Sequence, residues 1–99
     1  MRTKLLEPIH PGEILREEFM APLDMSVHGL ALALRVPATR IGDIVRGRRG
    51  ITPDTALRLA RYFGTSPDLW LGLQSEYDLR VARRELSARI ERDVEPRSV

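Results

Sequence analysis

The stretch SVHGLALALRVPATRIGDIVR, residues 26–46, decides the fold of this 99-residue chain. Ser26 is a favourable N-cap, and apolar residues follow it at the spacing of one helical face. These residues are Val27, Leu30, Ala31 and Leu34. A second helix is predicted from Pro37 to about Arg46, where Gly47 ends it. Its inner face would consist of Ile41, Ile44 and Val45.

Two short helices that cross steeply need a small residue at the contact and apolar residues around it. The positions that fill such a crossing are Leu30, Ala31, Leu34, Val36, Ile41 and Ile44, and all six hold suitable residues. One position departs from the usual pattern, because Arg35 stands where glycine commonly supplies a left-handed backbone conformation. An arginine adopts that conformation at a cost of roughly 1 kcal/mol. The spacing therefore predicts a helix-turn-helix over residues 26–46.

Positive charge is concentrated next to this motif. Residues 35–50 carry five arginines against one aspartate, whereas residues 1–34 and residues 51–79 each have a net charge of −2. Residues 80–99 add six arginines and four acidic residues, and the whole chain has a net charge of +2. A local basic patch of this kind is typical of phosphate binding. We therefore interpret residues 35–50 as a nucleic-acid-binding segment and the tail as a solvated charged face.

The exposed face of the second helix is the candidate for reading DNA bases. An arginine can contact guanine through two hydrogen bonds, an aspartate can accept from cytosine, and methyl groups can contact thymine. Glycine inside a helix costs ~1 kcal/mol relative to alanine, so Gly42 indicates a close backbone approach to the groove. The expected base-contacting residues are Ala38, Thr39, Arg40, Gly42 and Asp43. Beyond them, phosphate contacts are expected from Arg46, Arg48 and Arg49.

The N-terminal part of the chain precedes the motif with one more helix. Residues 1–10 are predicted to form an extended lead-in, since Pro8 and the His10-Pro11 pair oppose helix. Pro11 is a favourable first helical residue, and Pro22 should end this helix near Met20–Ala21.

Two further helices follow the motif, each begun by a hydroxyl residue and a proline. Thr52-Pro53 begins a fourth helix that Gly64 closes, and Ser66-Pro67 begins a fifth with no breaker before Pro96. No segment alternates with the period of a strand. We predict an all-α, five-helix bundle with an extended C-terminal helix. Residues 11–79 would form the DNA-binding domain, and residues 80–99 a charged helical extension.

Composition argues against several other functions. The chain has no cysteine, and its two histidines, His10 and His28, lie 18 residues apart. We therefore expect no metal site and no cofactor. No nucleophile–base pair or phosphate-binding glycine loop is evident, so enzymatic activity is not expected. No apolar stretch approaches the ~20 residues of a membrane span, and no signal peptide is evident, so we expect no membrane partner and a cytoplasmic location.

Trp70, Leu73 and Tyr77 recur on one face of the fifth helix, and the sequence leaves two interpretations open. They can pack on the bundle, or part of the stripe can form a dimer seam. The seam would be continued by Leu79, Ala82, Leu86 and Ile90.

The order of short motifs along residues 8–82 resembles the HigA family of antitoxins, within the larger phage-repressor/Cro-like (XRE) group. The motifs are residues 10–13, 30–31, 40–41, 47–52, 55–60, 63–66, 70–74 and 77–79. Departures from the family pattern are Arg35 for glycine, and Gly42 and Arg46 where a polar residue and asparagine are frequent. These departures imply that the operator sequence recognised can differ from that of other family members, whereas the same mode of binding is expected.

The resemblance implies a homodimer that binds a palindromic double-stranded DNA operator and represses its own operon. It also implies neutralisation of a partner toxin, typically a HigB-like mRNA endonuclease. A stand-alone XRE-type transcriptional regulator without a toxin remains an alternative, as does a protein-binding module that no longer binds DNA. For residues 80–99 the alternatives are a solvated helical extension with a disordered tip and a segment that contacts toxin or DNA backbone.

Overall fold

The computed structural model describes residues 7–98, and within this range every regular element is helical. Residues 1–6 of the predicted lead-in, which covers residues 1–10, lie outside the described residues, as does Val99. The first helix, α1, is α-helical over Pro11–Ile14, π-helical over Leu15–Met20 and 3₁₀-helical over Ala21–Leu23. The other four are α2 (Val27–Leu34), α3 (Ala38–Val45), α4 (Pro53–Phe63) and α5 (Pro67–Asp93). The expected all-α five-helix architecture is confirmed.

Helix α1 begins where the sequence predicts, because Pro11 occupies the first helical position. Its end differs from the prediction. Pro22 is accommodated inside the 3₁₀ turn, and the chain leaves the helix only at Asp24, whose φ is 53°. The sequence does not predict the wider π-helical segment. In it, the Ala21 N–H donates to the carbonyl of Arg16, five residues earlier.

The helix-turn-helix follows the predicted boundaries closely. The Ser26 hydroxyl accepts a hydrogen bond from the Gly29 N–H at 2.9 Å and caps α2. Arg35 ends α2 with a φ of 60° and a ψ of 47°, so the turn keeps the left-handed geometry despite its side chain. Pro37 has extended backbone angles and precedes α3 as its N-cap, so α3 is one residue shorter at each end than expected.

Helices α4 and α5 begin with the predicted capping pairs. The side chains of Thr52 and Ser66 accept from backbone N–H groups three residues later, each followed by a proline in the first turn. Gly64 closes α4 with a φ of 75°. Helix α5 has 27 residues, about 40 Å at 1.5 Å per residue, and ends at Asp93.

The core takes buried side chains from all five helices, and its largest member, Trp70 of α5, is fully buried. The rings of Phe19 and Phe63 pack on it, with centroids 4.8 Å and 6.5 Å away. The Trp70 Nε1–H donates to the Thr65 hydroxyl at 2.8 Å, so the indole is buried with its polar group satisfied. Of the stripe on α5, Trp70 packs in the bundle as the first interpretation predicts, and Leu73 and Tyr77 are half-buried.

Helix α1 rests directly on the backbone of α3 through Gly12. A Cβ placed on this buried glycine would lie 1.7 Å from the Ile44 carbonyl oxygen. Only a residue without a side chain permits this approach. The contact fixes the position of α3 relative to the first helix.

Candidate nucleic-acid interface

Helix α3 is held by its apolar side and presents a polar side outward. Ile41 and Ile44 are fully buried, and they contact α2, on which the buried residues are Leu30, Ala31 and Leu34. Val36, in the turn, is half-buried against the same cluster. On the other side, Ala38 and Thr39 are exposed in the first turn, while Arg40 and Asp43 are partly exposed.

Gly42 departs from the expectation. It was placed on the exposed face, but the structure buries it. A Cβ there would lie 2.9 Å from the Arg46 Nη1 and 3.8 Å from a Val27 methyl carbon. Gly42 therefore lies beneath the Arg46 side chain and beside α2, and is not open to solvent.

Arg40 is linked to α4 by an ion pair. Its Nη1 donates to the Asp54 Oδ2 at 2.6 Å, and the Arg58 Nε donates to the same oxygen at 3.0 Å. The two guanidinium groups, Arg58 first and Arg40 second, hold the pKa of Asp54 below its usual range. Arg58 also donates to the Leu34 carbonyl at 3.0 Å, near the C-terminus of α2.

The segment after α3, residues 46–50, carries three exposed arginines and is called here the arginine loop. They are Arg46, Arg48 and Arg49. The loop turns at Gly47, which has a φ of 76°. Arg49 lies 3.6 Å from the Asp43 carboxylate, so the one acidic residue of α3 is partly neutralised. A groove of about 510 Å³ opens between the loop and α4, and Arg40, Arg49 and Arg58 are among its lining residues.

The arginine loop is attached to the bundle at both ends. Gln74 of α5 accepts a hydrogen bond from the Ile51 N–H at 2.8 Å, and its amide donates to Asp78 at 2.9 Å. At the other end, a Cβ placed on Gly47 would lie 3.7 Å from the His10 ring, which packs against Tyr77 with ring centroids 4.9 Å apart. The backbone that carries the three arginines is therefore held against the bundle at both ends.

His10 has a structural role that sequence inspection does not reveal. Its Nδ1 accepts a hydrogen bond from the Gly12 N–H at 2.9 Å, so the imidazole is the N-cap of α1. Partial burial lowers the pKa of His10 from its ordinary value of 6.5, and the nearby Asp78 carboxylate opposes that shift. The cap requires the unprotonated Nδ1.

The residues missed by sequence reasoning are Asp54, Arg58, Gln74 and His10. Asp54 and Arg58 have the i, i+4 spacing of a helical ion pair, so the sequence could predict that pair, but not the contact of Asp54 with α3.

Among residues 7–98, no group of histidine and acidic side chains could hold a metal ion. In the same range, no helix has the length and apolar character of a membrane span.

The outer face of α5 remains partly apolar beyond the bundle. Leu79, Leu86 and Ile90 are 48%, 40% and 50% exposed. These three residues belong to the part of the stripe for which a dimer seam was one of the two interpretations, and they are exposed in the single chain.

A family model described as "Helix-turn-helix" matches residues 15–70, which includes α2, α3 and α4 entirely. The match spans more than half of the 99 residues. The chain therefore belongs to this helix-turn-helix family, HTH_3.

Relatives and solved structures agree with the HigA resemblance. Virulence-associated protein I of Dichelobacter nodosus is 57% identical over 77 residues, which are 78% of this chain and 71% of that protein. The structure described as "Pseudomonas aeruginosa antitoxin HigA with higBA promoter" is 52% identical, with a TM-score of 0.89, covering 91% of this chain and 98% of the other. A structure described as "antitoxin GraA in complex with its operator" is 41% identical, with a TM-score of 0.88, covering 100% and 95%. The resemblance to the HigA antitoxins drawn from the sequence is thereby confirmed.

Proposed function

We propose that this chain is a DNA-binding antitoxin that represses its own operon and neutralises a partner toxin of the HigB-like mRNA endonuclease class. The observation that carries the proposal is that the first turn of α3 and the arginine loop are both exposed, and that Arg40 and Arg49 line one groove. Similar chains, at 52% and 41% identity, have been solved with promoter or operator DNA. The chain would act in the cytoplasm, without catalytic activity of its own.

The proposed division of labour separates residues that choose the DNA from residues that hold it. Thr39, Arg40, Ala38 and Asp43 would contact base edges, since recognition helices generally do so with their N-terminal residues. Arg46, Arg48 and Arg49 would contact phosphates, which position the protein without reading sequence. Gly42 is not part of this proposal, because it is buried.

A homodimer would place two copies of α3 on a palindromic operator. Half-sites about one helical turn apart, ~34 Å, match such symmetry. The exposed apolar residues of α5 are the proposed seam, since burying them requires a partner surface.

Fluorescence anisotropy with 30-base-pair duplexes, tiled over the DNA upstream of the gene that encodes the chain, tests DNA binding. Arg48→Ala should weaken binding to all duplexes about equally and lower the salt slope by about one phosphate contact. Thr39→Ala should instead change which duplex is preferred. Arg97→Ala, near the C-terminus, is the matched control for loss of one charge. Absence of any sequence preference in the wild-type chain would refute operator binding.

The antitoxin role is separated from a stand-alone regulator by the product of the neighbouring reading frame. We expect a short basic protein encoded beside this gene to co-purify with the chain and to arrest growth when produced alone. Restored growth on co-production supports neutralisation. A neighbouring product that neither binds the chain nor affects growth would leave the regulator as the function.

A further inference from the structure

We propose that Asp54 is a positioning residue for base reading, whose carboxylate orients the Arg40 guanidinium as α3 presents it to DNA. The inference rests on the proposed function, because it takes α3 as the helix that contacts bases. Arg40 lies in the first turn of α3 and Asp54 in the first turn of α4. The pair therefore connects the recognition helix to an element outside the helix-turn-helix.

The carboxylate is itself held in place. Its Oδ2 accepts from Arg40 at 2.6 Å and from Arg58 at 3.0 Å, and hydrogen bonds between charged groups are the shorter and stronger kind. Arg58 is fixed by its second hydrogen bond, to the Leu34 carbonyl. A continuous path thus runs from the end of α2 through Arg58 and Asp54 to Arg40.

Arg40 is left with donors for a second partner. A guanidinium has five N–H groups, and the bond to Asp54 uses one of them. The side chain is 28% exposed, compared with 48% for Arg49 in the arginine loop. An arginine ordered before binding loses less rotamer freedom when it forms a bidentate contact. Without Asp54, the guanidinium would be free to contact phosphates, which carry no sequence information.

Loss of the Asp54 charge should lower the selectivity for one duplex without weakening the affinity for other duplexes. A carboxylate beside the DNA repels phosphates, so its removal favours binding to any duplex. Its removal also releases Arg40, so the preference for one sequence should decrease. If Asp54 had only a structural role, its loss would lower the affinity for DNA and the selectivity together. If Asp54 only blocked Arg40 from reaching DNA, its loss would increase the selectivity.

The test measures the ratio of dissociation constants for two duplexes. One is the duplex that the wild-type full-length chain recovers from a randomised 24-base-pair pool, and the other is a shuffled duplex of the same composition. For Asp54→Asn we expect the selectivity ratio to fall about tenfold, within what one bidentate arginine contact provides, and shuffled-duplex binding to be unchanged or tighter. Asp68→Asn is the matched control, because Asp68 also follows a proline in the first turn of its helix. The control should keep the wild-type ratio.

Two further variants make the result decisive. Asp54→Glu keeps the charge but displaces the carboxylate, so selectivity should fall without tighter binding to the shuffled duplex. In an Arg40→Ala background, Asp54→Asn should leave selectivity unchanged, because the residue acts through Arg40. Should Asp54→Asn fail to fold in a thermal melt, the Asp54→Glu measurement decides.

Each outcome bears on one claim. Selectivity within twofold of wild type in folded Asp54 variants would overturn the positioning role, as would an equal fall in the Arg40→Ala background. A wild-type chain that recovers no preferred duplex would overturn the proposed function and this inference with it.

Discussion

Substituting Gly12 by alanine should destabilise the fold strongly, although alanine is the better helix former. The new Cβ would lie 1.7 Å from the Ile44 carbonyl oxygen and 2.6 Å from its carbon. That oxygen would have to retreat by about 1.7 Å to reach an ordinary contact of 3.4 Å. Both groups belong to backbone, so no rotamer change relieves the overlap. Overpacking costs about 1–3 kcal/mol, and the upper end applies because neither backbone group can rotate away. The helix-propensity gain offsets at most about 1 of this, which predicts a net loss of about 2 kcal/mol.

Thermal unfolding followed by circular dichroism measures this effect. For a domain of this size, a loss of about 2 kcal/mol lowers Tm by roughly 8–16 °C. Gly72→Ala is the matched control, since a Cβ at Gly72 in α5 meets nothing within 4 Å. That variant should raise Tm by a few degrees through helix propensity alone. A Gly12→Ala protein as stable as the wild type would refute the reasoning that α1 and α3 are in backbone contact.

The remaining predictions concern the other sites. Gly42→Ala should keep or raise the free energy of unfolding, by up to about 1 kcal/mol, because the one close contact of its Cβ is with the movable end of Arg46; a Tm several degrees below that of the wild type would contradict this. Stability should decrease as pH falls through 6.5 toward the lowered pKa of His10, because the unfolded chain then binds a proton that the folded chain excludes. His10→Asn keeps an acceptor for the Gly12 N–H without titrating, and comparing urea unfolding of the two proteins between pH 8 and pH 5.5 isolates this contribution. An identical pH dependence in both would contradict it.

Local chemistry explains why so much of the helix layout could be predicted. Ser26, Thr52 and Ser66 each cap the helix expected from its sequence, because a cap acts on backbone groups two or three residues away. Gly64 ends its helix for an equally local reason, the low cost of a positive φ without a Cβ.

Contacts between distant residues account for what the sequence could not reveal. Gly42 looks like an exposed helical glycine until α2 is packed against it. Arg40 and Asp54 are 14 residues apart, and Gln74 meets the Ile51 N–H across 23 residues. Helical periodicity assigns a face to each residue, but the partner of that face depends on how helices cross. The same limit applies to the π-helical segment of α1, for which no residue pattern is diagnostic.

Arg35 combines a strained backbone with a charged side chain in the turn of the helix-turn-helix. The residue keeps a left-handed backbone at a position where glycine would relieve roughly 1 kcal/mol of strain. One nucleotide change converts any arginine codon to a glycine codon, so a variant without this strain lies a single mutation away. That mutation would also remove one of the five arginines of residues 35–50. Stability and positive surface charge therefore favour different residues at this one position.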